Sequence, residues 1–130
     1  MAELSQRLEA ANRALERLDE VATKDDLSDI ERDGLIQRFE FCFEIMWKCS
    51  KDYLWDAEGL TVASPKKVIR LLREVGMFSD EEAEQALDMT DDRNLTAHTY
   101  DEKMAKELAG RIPGYAKLMR VWYERMVGEK

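Results

Sequence analysis

From about Ser28 to Glu58 the chain carries an apolar pattern that only an α-helix can use. Leu35, Ile36, Phe39, Phe43, Met46, Trp47, Ser50, Tyr53 and Leu54 fall within one sector about 120° wide when successive residues turn by about 100°. Phe41, Cys42, Ile45 and Cys49 form a second apolar sector. Only the arc with Gln37, Glu40, Glu44, Lys48 and Lys51 is consistently polar. A helix that is apolar on two sides must be central in its bundle or shared with another subunit. Glu44 and Lys48 stand four residues apart, a spacing that stabilises an exposed helix by a few tenths of a kcal/mol.

The rest of the chain is equally free of breaks. Two prolines and six glycines in 130 residues favour helices over a turn-rich β fold. Leu4, Leu8, Ala11, Leu15 and Leu18 recur in alternating steps of four and three, which predicts a first helix to about Val21. The polar segment Ala22 to Asp26 then turns the chain. Gly59 ends the long helix, and Ser64-Pro65 opens a third with a cap and a proline at its first position. That helix carries Val68, Ile69, Leu71, Leu72 and Val75 and stops at Gly76. Its other face gathers Lys66, Lys67, Arg70 and Arg73, either a solvated face or a dock for RNA phosphates or an acidic partner.

Ser79 caps a fourth helix whose inner stripe, Ala83, Ala86, Leu87, Thr90, Asn94 and Ala97, is mostly small, so another helix can approach closely. In the last helix, from near Asp101, Met104, Leu108, Ile112, Tyr115, Met119, Trp122 and Met126 stay in phase across Pro113-Gly114, which predicts a kink and not a break. With no repeat, low-complexity tract or linker, residues 1–130 form one domain. The fold class is all-α, an up-and-down helical bundle of four to five antiparallel helices.

Charge and composition narrow the function. A net charge of −8 works against indiscriminate nucleic-acid binding but leaves room for a local basic site. No apolar run approaches the roughly 20 residues that span a bilayer, and Met1 to Ser5 has no features of a secretory leader. A cytoplasmic protein without a membrane partner is expected. Cys42 and Cys49 stand about 10 Å apart along a helix, too far for a mutual disulfide, and read as buried thiols. One histidine and two cysteines cannot assemble a zinc site of soft ligands. Neither a metal nor a cofactor is expected.

The candidate site is Asp91 to Tyr100, which holds the single histidine, His98, with Arg93 five positions before it and Tyr100 two after. On a regular helix Arg93 and His98 project about 140° apart, on the two shoulders of the small-residue stripe. Asn94 lies between them, four residues from His98, close enough to orient the imidazole. Were the stripe to face a twofold-related copy, two arginines and two histidines would converge on one phosphate. Histidine can move the proton of a ribose 2′-hydroxyl or of the leaving oxygen. Arginine can hold the phosphate and stabilise its developing charge. His98 also lies near a helix C-terminus, where the dipole favours the charged imidazolium. The alternative is an ordinary C-terminal cap formed by Arg93 and His98. Thr99 and Glu102 would then form the capping box of the next helix, and Tyr100 would pack at the turn.

Arg93-Asn94-Leu95-Thr96-Ala97-His98-Thr99-Tyr100 resembles the R-x4-H-x-Y signature of HEPN proteins. The run Arg32 to Phe41 with Glu44, Trp47 and Lys48 is similar to the nucleotidyltransferase substrate-binding subunit family. So are Ser64 to Arg70 and Asp92 to Tyr100, and together the likeness spans roughly residues 30 to 123. It implies a helical bundle that forms a homodimer and partners a minimal nucleotidyltransferase in a two-gene module of the toxin–antitoxin type. Two roles travel with it. In one, the chain is a noncatalytic subunit that presents a substrate or nucleotide. In the other, it is a metal-independent ribonuclease toxin with Arg93 and His98 catalytic and Tyr100 the hydroxyl that the partner adenylylates to silence it. Asp92 and Asn94, within the same stretch, are expected as supporting residues. Glu40, Glu44 and Asp52 are either structural or further polar groups near the site, with Glu44 the supporting residue among them. The chain lacks the acidic pair that a nucleotidyltransferase needs for Mg²⁺, so it is not expected to transfer nucleotides itself.

Overall fold

Helix caps fix the element boundaries. The computed structural model describes residues 2–128; Met1, the first residue of the segment read for a leader, lies outside them with 129–130. Helix α1 spans Ala2–Ala22, α2 Asp29–Glu58, α3 Pro65–Glu74, α4 Asp80–Asn94 and α5 Glu102–Val127, with a 3₁₀ turn at Leu95–His98 between the last two. Ser28 and Ser79 each accept a bond from the amide three residues on, at Glu31 and Glu82. Each glutamate answers with a bond to the serine amide, closing a capping box. Gly59 ends α2 in the left-handed conformation at φ 67°, where any side chain would be strained. Pro113 sits inside α5 without ending it.

Short connections fold each helix back on the one before it, giving the expected all-α up-and-down bundle. Helix α2 touches every other element, α1, α3, α4, α5 and the 3₁₀ turn. Its two apolar sectors are therefore the mark of a central helix: Leu35, Phe39, Cys42, Phe43, Met46, Cys49 and Leu54 are all buried within the chain. Phe41 alone of the second sector is more than half exposed, at 57%. Ser50 lies within the apolar stripe because its hydroxyl has work there. It accepts from the buried Trp122 indole Nε1 at 2.8 Å and donates to the Met46 carbonyl at 2.9 Å. Cys42 and Cys49 are free and buried, as expected.

The small-residue stripe of α4 is used differently from the expectation. Ala83, Ala86 and Thr90 are buried inside the protomer, where α4 packs against α2, α3 and α5. Only Asn94 and Ala97 stay exposed. Small side chains here let α4 settle into its own bundle, and most of the stripe is closed to a second copy. Among the described residues no helix is long and apolar enough to cross a membrane.

Candidate functional site

The last turn of α4 is clamped from two sides. Asp92 points into the protein: its carboxylate accepts from Arg111 Nε at 2.7 Å and Nη2 at 2.9 Å, and from the Tyr115 hydroxyl at 2.5 Å. Arg111 and Tyr115 sit one turn apart on α5. Burial and the bond to Asp92 push the Tyr115 phenol above its ordinary value, and Asp92 likewise raises Arg111. Asp92 thus ties α4 to α5. Arg93 turns the other way and ties α4 to α2, its Nη2 bonding Glu44 Oε2 at 2.7 Å. Lys48 reaches the second oxygen of Glu44 at 3.5 Å, the expected i,i+4 pair. Asp52 lies elsewhere, paired with Arg7 of α1.

Beyond Asn94 the chain tightens into the 3₁₀ turn, and the Thr96 hydroxyl bonds the Arg93 carbonyl at 2.8 Å, satisfying one of the free acceptors at the helix end. A 3₁₀ helix has three residues per turn instead of 3.6, so the angle drawn on a regular helix between Arg93 and His98 does not apply. The imidazole partner is Tyr100 and not Asn94: His98 Nδ1 stands 3.3 Å from the Tyr100 hydroxyl, with the rings edge-on, 5.9 Å apart. Both side chains are exposed, Tyr100 at 84%. The next helix is capped by Asp101, whose side chain accepts from the Met104 amide at 3.1 Å, and not by Thr99. An N-cap needs extended backbone, which Asp101 has, whereas Thr99 stays helical at φ −70° and ψ −6°. Among the described residues, Arg93 pairs with Glu44 and His98 with Tyr100, and the two share no contact.

A cavity of about 470 Å³ opens beside Arg93, walled by Phe43, Glu44, Trp47, Pro65, Lys66 and Asn94. The basic cluster noted on α3 contributes Lys66, whose ammonium is 2.7 Å from Asp91. Trp47 was legible as part of the apolar stripe and of the family likeness but not as a cavity wall, and Arg111 not at all as a site residue; the i,i+4 spacing of Arg111 and Tyr115 was the available signal. A larger groove of about 660 Å³ between α1 and α2, lined by Arg13, Arg17 and Phe41, shares Glu44 with the first but holds neither Arg93 nor His98. No group of three or more His, Cys, Asp or Glu side chains converges to hold a metal ion among the described residues.

Five helices form an all-α bundle that carries a half-apolar cavity and an exposed His–Tyr couple at one end of α4. Residues 6–128 match the family described as nucleotidyltransferase substrate binding protein like, and the chain belongs to that family. No curated protein matches it. Among solved structures, a protein of Thermus thermophilus is 52% identical, with a TM-score of 0.87 over 89% of this chain and 98% of its own. HI0074 of Haemophilus influenzae, described as having the fold of a substrate binding domain of a nucleotidyltransferase, is 21% identical. Its TM-score is 0.78, over 92% of this chain and 98% of its own. A toxin–antitoxin structure with AMP-PNP is 12% identical with a TM-score of 0.70 over 95% of this chain and 96% of its own. The last two share the fold.

Proposed function

We propose that this protein is the helical partner of a minimal nucleotidyltransferase and carries a metal-independent ribonuclease site on Arg93 and His98, silenced when the partner adenylylates Tyr100. The observation that carries the reading is the couple at the tip of α4: Tyr100 is almost fully exposed, yet its hydroxyl lies 3.3 Å from His98 Nδ1. One exposed oxygen is thus both open to an incoming nucleotidyltransferase and in contact with the imidazole. In adenylylation that oxygen attacks the α-phosphorus of ATP, pyrophosphate leaves and the phenolic proton is lost. The product replaces a hydroxyl beside His98 with an anionic diester, which blocks RNA and repels its phosphate.

In the cleavage step, His98 takes the proton of a ribose 2′-hydroxyl, the 2′-oxygen attacks the adjacent phosphorus, and the 5′-oxygen leaves with a proton. The products are a 2′,3′-cyclic phosphate and a 5′-hydroxyl. Arg93 holds the phosphate and stabilises its added charge. One imidazole per chain leaves the acid role to the histidine of a second copy, so the active form is a homodimer. Glu44 holds Arg93 in place until a phosphate takes over that charge.

A second reading, a substrate-binding subunit without nuclease activity, is favoured by the Glu44–Arg93 pair, which keeps the guanidinium away from His98 within one chain. Expression of the protein alone, beside Arg93→Ala and His98→Ala, separates the two. The ribonuclease reading expects arrested growth and degraded RNA with the wild type alone, whereas equal growth and intact RNA in all three supports the binding subunit. Incubation with the partner and ATP should add one adenylyl group to the intact mass, mapping to Tyr100. A mass increase retained in Tyr100→Phe would remove the proposed switch.

A further inference from the structure

The cavity beside Arg93 contains features that neither a helix end nor a salt bridge explains. Its walls are half apolar, from Phe43, Trp47 and Pro65, and half polar, from Lys66, Arg93, Ser64 and Asn94 with the carboxylate of Glu44 among them. Two N–H donors on these wall residues, Trp47 Nε1 and Arg93 Nε, are buried with no acceptor among the described residues. Buried donors are nearly always paired, so two unpaired ones on residues of one cavity mark the region as short of acceptors, although both nitrogens lie behind the cavity surface. Ser64 stands at the N-cap of α3 but makes no capping bond, which leaves its hydroxyl free. The two cations are held only by partly exposed carboxylates, Lys66 by Asp91 and Arg93 by Glu44. Such pairs are weak and exchange readily for a phosphate.

We infer that this cavity binds one unpaired ribonucleotide, its phosphate on Lys66 and Arg93 and its base against Trp47. The volume, about 470 Å³, lies within the range of small-ligand pockets. An indole face accepts any base but only one that has left its stack, and a duplex keeps its bases paired and offers backbone alone. The substrate class that follows is single-stranded RNA, with little preference for sequence. Because Arg93 belongs to both the cavity and the ribonuclease site, the bound nucleotide adjoins the cleaved bond; that placement rests on the ribonuclease reading, whereas the binding itself does not.

The test uses the full chain and a short, fluorescein-labelled single strand with 2′-O-methyl riboses, which cannot be cleaved, followed by anisotropy. The wild type should bind the single strand and bind a duplex of the same sequence at least about tenfold more weakly, the scale of one lost base stack. Lys66→Glu and Trp47→Leu should each weaken single-strand binding by about tenfold, with Lys66→Arg and Trp47→Phe restoring most of it. Circular dichroism checks that each variant is folded. No single-strand binding by the wild type, or equal binding by wild type, Lys66→Glu and Trp47→Leu, overturns the proposal. Binding that depends on Lys66 and Trp47 in a protein that leaves natural RNA intact would sustain the cavity and sink the ribonuclease. Cleavage that is indifferent to both residues would do the reverse.

Discussion

Replacing Asp92 by Asn tests whether this residue is a strut or a participant in the chemistry. Its side chain is only 12% exposed and accepts three bonds, two from Arg111 and one from Tyr115. Breaking a fully buried ion pair costs about 3–5 kcal/mol. Arg111 is 43% exposed and regains water when released, so the loss shrinks to about 2–3 kcal/mol. For a chain of this size that lowers the melting temperature by about 8–12 °C. Thermal melts of the wild type, Asp92→Asn, Arg111→Met and the double variant should give a coupling of about 1–2 kcal/mol. RNA cleavage by the folded fraction of Asp92→Asn should keep its rate. A shift below about 2 °C, or additive single effects, refutes the strut. A normal melt with lost cleavage would make Asp92 part of the reaction.

Other perturbations follow from the same geometry. Ser50→Ala leaves the buried Trp122 indole without an acceptor and should cost about 1–3 kcal/mol, read as a lower urea midpoint with an unchanged slope. Burial pushes the Cys42 and Cys49 thiols up to about 12. Both should resist a thiol reagent at pH 8 in the native protein and react on unfolding. Because the folded values are raised, their contribution to stability is complete below the unfolded value of about 8.5 and is lost as pH rises toward 12. Glu82 is lowered, chiefly by the hydrogen bond from Arg125. Its contribution is present above the unfolded value of about 4.3 and lost as pH falls further, so Glu82→Gln should flatten the acid limb of a melting-temperature profile. Glu44→Gln removes the carboxylate that competes for Arg93 and should tighten binding of an uncleavable single strand; weaker binding would show that Glu44 positions the guanidinium.

Local chemistry made much of the fold legible. The stops at Gly59 and Gly76, the proline start at Pro65, the cap at Ser79 and the unbroken phase across Pro113 are written within a few residues of each boundary. What was hidden depends on contacts between distant segments. The Arg93–Glu44 pair spans 49 residues and Trp122–Ser50 spans 72. A helical wheel drawn around α2 places Glu44 on its polar arc without naming the cation that will meet it. The 3₁₀ turn at Leu95–His98 escaped because apolar spacing over four residues cannot separate three residues per turn from 3.6. That one change moved the imidazole from Asn94 to Tyr100. The two-sided apolarity of α2 was ambiguous between a central helix and a shared one, and α1 and α5 supplied the cover within the chain. Arg93, His98 and Tyr100 stood out in the sequence as polar residues concentrated at one end of α4, but their partners could not be read.

The central claim is that Arg93 and His98 cut RNA and that Tyr100 governs them. The most direct measurement incubates the purified protein with a single-stranded RNA in the presence of a chelator and resolves the product ends. The account predicts fragments ending in 2′,3′-cyclic phosphate from the wild type, and none from Arg93→Ala, from His98→Ala or from protein whose Tyr100 has been adenylylated. Intact RNA with the wild type, or equal cleavage by all four, would contradict it.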